Sequence, residues 1–271
     1  MQAIGICRFS YPGEGGFQVE HGSLEERIAY LYAPARMEER FATFETMMLP
    51  PLRQQTDADF TLLIVIGDSL PSVYRARLEA AVADMPQVVI RACAPGPHRK
   101  VMQQAINAVR RKSDAPSLQF RMDDDDAVAC DFIARLREAA RDVAPLVQRH
   151  RHVAIDFNRG YIVRPTGEGL MVAPTDQPYA TAALALMVRA DVPVTVMNFA
   201  HAKLPRVMPT VTFTDSDMMI RGHNDHNDSR QKPGLRTPRL LPLDAEGKAH
   251  FRRTFGIDAD AVTRRFAALP A

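Results

Sequence analysis

Apolar and polar positions along the first half of the chain alternate in blocks that predict strands and helices in turn. Each short apolar run is followed by a longer segment whose apolar residues recur at helical spacing. The predicted strands are AIGICRF, FTLLIVIGD, QVVIRACA and SLQFRM, and the predicted helices are RMEERFATFETMM, SVYRARLEAAVADM, HRKVMQQAINAVRRK and DFIARLREAARDVAPLV. Pro50 and Pro51 are expected to interrupt or end the first of these helices.

Strands that alternate with helices predict an α/β fold, a three-layer sandwich around a mostly parallel central sheet. The alternation covers about residues 1–145. The second half, about residues 146–271, is less regular: HVAIDFNRGYIV predicts one or two strands, and the apolar run ATAALALMV predicts a short buried helix. No segment has the composition of a linker, so we expect a single domain over residues 1–271.

Composition narrows the functional class. The formal net charge of +2 is small for a dedicated nucleic-acid-binding protein, so no nucleic-acid partner is expected. The three cysteines are widely spaced and odd in number, which favours a cytoplasmic location over a disulfide-stabilised one. No segment approaches the roughly 18 apolar residues of a membrane span, and MQAIGICRFSYPG lacks the features of a signal peptide.

Charged residues follow three of the predicted strands. Arg8 follows the first, Asp68 the second, and the four aspartates Asp123–Asp126 the fourth. The carboxyl ends of parallel strands form the edge at which such sheets bind ligands. Carboxylates at that edge suit Mg²⁺ or Mn²⁺, which prefer oxygen ligands and take further ones from phosphates.

The four aspartates also have a purely structural interpretation. Aspartate at a helix N-terminus is favourable by roughly 0.3 to 1 kcal/mol, and Asp126 or Asp131 could cap the next helix in this way. The position after a strand of an alternating sheet favours a binding site instead. In an extended chain, Asp123 and Asp125 would point to the same side.

Three stretches carry a family resemblance, and they are RMDDDDAV, HRKVMQQAINAV, and CRFSYP followed by RMEERFATFETMMLPPLRQQT. Together they resemble the glycosyltransferases of the GT-A fold, and among these a bacterial rhamnosyltransferase-like group. The first stretch resembles the metal-binding Asp-x-Asp motif. The second is similar to the segment ahead of that motif: Lys100, Ala105 and Asn107 fit, while Val101 stands where a glycine is usual. The resemblance covers about residues 3–140, and beyond it only MMIRGHNDHNDS looks similar.

The resemblance implies roles for individual residues at the edge of the sheet. Asp123 and Asp125 would hold the metal, with Asp125 as the direct ligand, and Asp123 and Asp124 would contact the substrate. The nucleotide would lie against two residues after earlier strands, with Arg8 lining its pocket and Asp68 near the nucleobase. His223 would be a late histidine that acts on the metal or the diphosphate.

Position in the predicted fold adds further candidates. Arg99 and Lys100 begin a helix near the same edge, where cations and a helix N-terminus favour phosphate, although ordinary solvated charges would look the same. His223 and His226 could instead lie in a plain polar loop. A general base would come from the second half, whose candidates are Asp156, Glu168, Asp176, Asp215 and Asp217. Asp156 is preferred because it interrupts an apolar strand.

These observations predict a metal-dependent glycosyltransferase of polysaccharide biosynthesis. It would take a sugar, with rhamnose suggested by the family resemblance alone, from a nucleotide-diphosphate sugar to a glycan or lipid-linked acceptor. Peripheral contact with the inner face of the membrane stays open, because the C-terminal segment RRTFGIDADAVTRRFAAL is basic and amphipathic. Two alternatives remain: a nucleotidyltransferase, and a non-catalytic nucleotide-binding protein with the same fold.

Overall fold

The computed structural model describes residues 1–15, 21–223 and 239–269. Within these ranges the chain forms twelve strands. They are β1 (Ala3–Arg8), β2 (Phe60–Gly67), β3 (Val88–Cys93), β4 (Ser117–Met122), β5 (Ala127–Val128), β6 (His152–Phe157), β7 (Arg159–Thr166), β8 (Gly169–Asp176), β9 (Leu184–Val188), β10 (Thr210–Phe213), β11 (Met219–Gly222) and β12 (Leu241–Pro242).

The same ranges contain nine α-helices. They are α1 (Leu24–Leu31), α2 (Pro34–Thr43), α3 (Leu49–Arg53), α4 (Ser72–Ala81), α5 (His98–Val109), α6 (Phe132–Asp142), α7 (Ala144–Arg149), α8 (Ala245–Phe255) and α9 (Ala259–Ala267). A π-helical segment, Phe44–Met48, joins α2 to α3, and two 3₁₀ segments, Val196–Asn198 and His201–Arg206, follow β9. None of the helices in the described part of the chain is long and apolar enough to cross a bilayer.

Seven strands form the main sheet, in the order β10-β6-β9-β4-β1-β2-β3. All neighbouring strands run parallel except at β9, which is antiparallel to both β4 and β6. Alternate residues of β2 face opposite sides: Leu62 and Ile64 join one apolar cluster, and Leu63 and Val65 join the other. Both faces of the sheet are therefore covered, and the predicted α/β class with a mostly parallel central sheet is confirmed.

A second sheet lies beside the carboxyl edge of the first, in the order β12-β8-β7-β11-β5. Its strand β5 begins directly after the four aspartates, and it pairs antiparallel with β11 through Met219 opposite Val128. The two strands therefore fix the end of the aspartate run against a segment from the second half of the chain.

The prediction of a buried helix in ATAALALMV is wrong. Leu184–Val188 is instead the antiparallel strand β9, whose five residues are all buried between β4 and β6. A central strand needs apolar residues on both faces, so it shows no two-residue alternation and resembles a buried helix in sequence.

Pro50 and Pro51 do not end the helical segment before them. The π-helical segment Phe44–Met48 comes first, and α3 then starts at Leu49 with the two prolines in its first turn. Proline is tolerated there because the first backbone N–H groups of a helix have no carbonyl partner within it.

The main core draws on both halves of the chain. The ring of Phe132 lies 5.2 Å from that of Phe120 in the first half and 5.9 Å from that of Phe157 in the second, measured between centroids. Phe251 and Phe255 of α8, both fully buried, belong to the same cluster. The two halves therefore share buried surface.

Candidate functional site

The four aspartates form a tight turn between β4 and β5. The backbone N–H of Asp126 donates to the carbonyl oxygen of Asp123 at 3.1 Å, so the chain doubles back within four residues. The turn, and not an extended chain, brings the carboxylates of Asp123 and Asp125 together. It also returns Asp126 to the vicinity of Asp123.

Asp123, Asp125 and Asp126 form a carboxylate cluster. Each offers an oxygen, and the three oxygens lie within 4.8 Å of one another. Asp126 does not cap a helix; its carboxylate accepts hydrogen bonds from the backbone N–H groups of Asp123 and Gly222, both at 3.2 Å. Asp131 takes the N-cap position of α6 but makes no side-chain capping bond.

Gly222 allows the cluster to pack against β11. A Cβ at this position would lie 2.5 Å from the backbone oxygen of Asp125 and 2.6 Å from its Oδ2. No side chain fits at such distances without moving Asp125. The close approach of β11 thus depends on the glycine.

Burial and mutual repulsion raise the pKa values of two carboxyls in the cluster. For Asp125, burial raises the pKa well above its usual value, and the charges of Asp126, Asp124 and Asp123 add to the effect. For Asp126, burial and then the charge of Asp123 raise the pKa to about 7, against the opposing influence of Arg221. Mg²⁺ and Mn²⁺ prefer oxygen ligands, and either ion would offset the repulsion among these three carboxylates. The residues therefore fit a divalent cation.

Asp124 is not a member of the carboxylate cluster. It is fully buried and forms an ion pair with Arg40 of α2. That placement is incompatible with direct substrate contact by Asp124, because its carboxylate is not accessible. The ion pair instead ties the turn to the helix.

A cleft opens beside Asp123 at the carboxyl edge of the main sheet. Its charged lining comes from Arg8, His98, Arg121 and Asp123, and its apolar lining comes from Ile6, Met102, Met122 and Met197. Arg8 Nη1 lies 3.2 Å from His98 Nε2. A guanidinium only donates, so Nε2 must accept and His98 must be neutral. Consistently, burial and the charges of Arg8 and Arg121 lower the pKa of His98 to about 3.

The second half of the chain adds a cation and another histidine to the same region. Arg221, on β11, is close enough to lower the pKa of Asp126. His201 begins a 3₁₀ segment, and its pKa is lowered chiefly by burial and then by the charge of Arg121. Its Nδ1 lies 2.7 Å from the carbonyl oxygen of Tyr179.

Four predicted residues lie near the edge without joining the carboxylate cluster. Asp68 is exposed after β2, where its charge contributes to the raised pKa of Tyr32. Arg99 and Lys100 are exposed in the first turn of α5, next to His98. His223 follows Gly222 directly, and its backbone N–H donates to Val163 at 2.8 Å, but its ring is not a member of the cluster. His226 lies outside the described residues.

Asp156 is buried, and each of its two carboxylate oxygens accepts a hydrogen bond from the protein. Its Oδ1 accepts from the backbone N–H of Tyr179 at 3.0 Å, and its Oδ2 accepts from the hydroxyl of Thr212 at 3.1 Å. Burial raises its pKa to about 6 despite these bonds. These bonds position the Tyr179 loop, and the role of Asp156 as a general base stays a prediction.

Four residues near the site were not predicted from the sequence: His98, Arg121, Arg221 and His201. Two of them had a usable signal, because His98 directly precedes the predicted Arg99 and Arg121 lies within FRMDDDD. His201 lies in an irregular segment, which gives no such signal. The whole arrangement suits an anionic ligand held by arginines together with a divalent cation.

The chain belongs to the family described as "Putative rhamnosyl transferase", whose model matches residues 2–236. The predicted resemblance to a rhamnosyltransferase-like family is thereby confirmed. No curated protein matches the chain.

Solved structures with a similar arrangement are distant. TarS 1–349 of S. aureus in complex with UDP-GlcNAc is 11% identical with a TM-score of 0.46; the match covers 84% of this chain and 60% of that one. A "putative nucleotide-diphospho-sugar transferase" from Desulfovibrio desulfuricans is 12% identical with a TM-score of 0.37, covering 98% and 97% of the two chains. The present chain thus spans about 60% of the TarS chain that it matches.

Proposed function

We propose that this protein is a metal-dependent glycosyltransferase that moves a sugar from a nucleotide-diphosphate donor to a hydroxyl group of a glycan or lipid-linked acceptor. Rhamnose is the sugar that the family description suggests. The observation that carries the proposal is the carboxylate cluster of Asp123, Asp125 and Asp126 beside an arginine-lined cleft at the carboxyl edge of a parallel sheet.

Charge complementarity supports a diphosphate in this cleft. A nucleoside diphosphate is anionic, and Arg8 and Arg121 offer guanidinium donors that match phosphate oxygens. His98 stays neutral between them and accepts a bond from Arg8, which fixes the orientation of that guanidinium. Arg99 and Lys100, at the exposed start of α5, add positive charge at the mouth of the same region.

Asp123 and Asp125 are the residues that would hold Mg²⁺ or Mn²⁺, and Asp126 completes the set. A divalent ion there would supply Lewis-acid stabilisation to the departing diphosphate. Asp126 is held by the backbone N–H groups of Asp123 and Gly222, so it keeps the turn in shape and stabilises the position of the other two carboxylates.

The test is a thermal-shift panel of UDP, GDP, dTDP and CDP, each with and without Mn²⁺. A ligand at about 100 times its Kd stabilises the native state by roughly 2.7 kcal/mol, which corresponds to several degrees in Tm for a chain of this length. We expect a Mn²⁺-dependent shift with one or two of the bases. That base then selects the nucleotide sugar whose consumption is measured.

The variants Asp123→Asn and Asp125→Asn should lose the Mn²⁺-dependent part of the shift. The matched control is Asp131→Asn, because Asp131 is an exposed aspartate close in sequence that makes no capping bond. Shifts that are identical in all three variants would contradict the metal assignment. A metal-dependent shift without consumption of any nucleotide sugar would favour the non-catalytic alternative.

A further inference from the structure

His201 has a fixed tautomer and lies four residues after Met197, which lines the cleft. Its Nδ1 lies 2.7 Å from the carbonyl oxygen of Tyr179. A carbonyl oxygen only accepts hydrogen bonds, so Nδ1 carries the proton and Nε2 of the neutral ring presents a lone pair. The imidazole is held in the tautomer that a proton acceptor requires.

A chain of hydrogen bonds holds this histidine in place. The buried carboxylate of Asp156 accepts from the backbone N–H of Tyr179 at 3.0 Å, and the carbonyl of the same residue binds His201. Tyr179 has a left-handed backbone, with φ of 59°, which costs a non-glycine residue energy. Asp156 therefore stabilises a strained turn whose carbonyl orients the imidazole.

His201 begins the 3₁₀ segment that follows the one containing Met197. Met197 is the residue of the second half that lines the cleft, together with Arg8 and other residues of the first half. Burial and then the charge of Arg121, a residue of the cleft lining, lower the pKa of the His201 ring, so the neutral form is the stable one.

The chemistry of Nε2 selects its partner. Phosphate oxygens need hydrogen-bond donors, which the arginines supply, whereas a lone pair needs a donor such as a hydroxyl group. The cluster of potential metal ligands among the described residues does not include His201. A sugar hydroxyl meets the requirement.

We propose that His201 is the general base that deprotonates the acceptor hydroxyl; this inference rests on the proposed function. The acceptor oxygen bonds to the anomeric carbon, and the bond from that carbon to the diphosphate oxygen breaks. The hydroxyl proton moves to Nε2, and the nucleoside diphosphate leaves with the electron pair. The displacement is direct, so the product has inverted anomeric configuration. Asp156 acts through Tyr179 as a positioning residue.

The test compares His201→Gln with wild type, and His150→Gln is the control because His150 is an exposed histidine at the end of α7. Glutamine can still donate to the Tyr179 carbonyl but cannot take up a proton. With dTDP-rhamnose, or the nucleotide sugar that the thermal-shift panel selects, we expect transfer to a panel of octyl glycosides to fall about 10²- to 10⁴-fold. Binding of the nucleoside diphosphate should stay within about threefold, the range expected when no transition-state contact is involved.

Sodium azide provides the second measurement. Azide is already an anion and needs no base, so it should restore consumption of the donor by His201→Gln to near the wild-type rate and give the inverted glycosyl azide. Full transfer activity in His201→Gln would overturn the inference and leave the proposed function standing. Loss of nucleoside diphosphate affinity, or of the Mn²⁺-dependent shift, would overturn it by making His201 a diphosphate or metal ligand. If wild type consumes no donor with any acceptor or with azide, both proposals fail.

Discussion

At the scale of single residues, four identical side chains have three different environments. Asp123 lines the cleft, Asp125 and Asp126 are buried in the carboxylate cluster, and Asp124 pairs with Arg40 in the interior. The sequence DDDD predicted a metal site here but did not indicate which carboxylate would pair with Arg40 instead of joining the cluster. That choice depends on the turn between β4 and β5, which is fixed by contacts to distant segments.

The ion pair of Asp124 predicts that this residue contributes more to stability than Asp123 does. Asp124→Asn should lower the free energy of unfolding by about 3 to 5 kcal/mol, because removal of one partner leaves the charge of a buried pair uncompensated. Asp123→Asn, at the partly exposed position, should change stability by less than about 0.5 kcal/mol. Urea unfolding without metal measures both, and equal losses would show that the pair is not a stabilising contact.

Asp156 predicts a pH dependence of stability. Burial raises its pKa in the folded state to about 6, above the unfolded value near 3.8. Between these pH values the unfolded chain has lost a proton that the folded chain keeps, so the contribution of Asp156 is fully present below about pH 4 and decreases as pH rises to about 6. The slope is at most about 1.4 kcal/mol per pH unit. Urea unfolding across this range should show a stability that falls more steeply with pH in wild type than in Asp156→Asn, because Asp125 and Asp126 contribute equally to both.

Asp156→Asn also distinguishes positioning from catalysis. Asparagine keeps the oxygen that accepts from the Tyr179 N–H, and the Thr212 hydroxyl can accept from its amide group. We expect transfer to fall less than about tenfold, far less than the 10²- to 10⁴-fold expected on removal of a general base. A loss as large as that of His201→Gln, with the fold intact, would restore Asp156 as a candidate base.

At the scale of elements, apolar runs were assigned to the correct secondary structure where the flanking residues marked their ends. FTLLIVIG reads as a strand because turn residues and a helix follow it, and it forms β2. The alanine-rich run that becomes β9 has high helix propensity and lies in an irregular region, and its pairing with β4 and β6 outweighs that propensity. The sequence predicted that Pro50 and Pro51 interrupt or end the helix. The structure shows an interruption, the π-helical segment Phe44–Met48, which cannot be read from residue type.

Because β11 packs closely on the aspartate turn, we expect one added methyl group at Gly222 to disturb the carboxylate cluster. Gly222→Ala places a Cβ 2.5 Å from the backbone oxygen of Asp125 and should move that residue, weakening the Mn²⁺-dependent thermal shift. Gly96→Ala is the matched control, because its Cβ would meet only a methyl of Val101 at 3.4 Å, an ordinary contact. Equal shifts in the two variants would show that the turn tolerates displacement.

At the scale of the whole molecule, the shared core predicts cooperative unfolding. We propose that residues 1–271 form one domain, as the absence of a linker in the sequence indicated. Phe251 of α8 packs on Phe255 at 5.5 Å and on Tyr161 of β7 at 5.0 Å, between ring centroids. Phe251→Ala should cost about 3 to 5 kcal/mol in a single transition, seen alike by circular dichroism and by tyrosine fluorescence. Two separate transitions would indicate two domains.

The position of β9 has a consequence for the order in which the chain can assemble. The strand is made after β4 and β6 yet lies between them, with Leu118 and Val153 both opposite Met187. Until synthesis passes residue 188, β4 has an unpaired side with the buried, apolar character of a central strand, and such edges invite pairing with other chains. A fragment that ends near residue 145 keeps the four parallel strands β1 to β4 but exposes that edge permanently. Ribosomes that stall before β9 should therefore yield chains that aggregate, or require a chaperone, more than the complete sequence does.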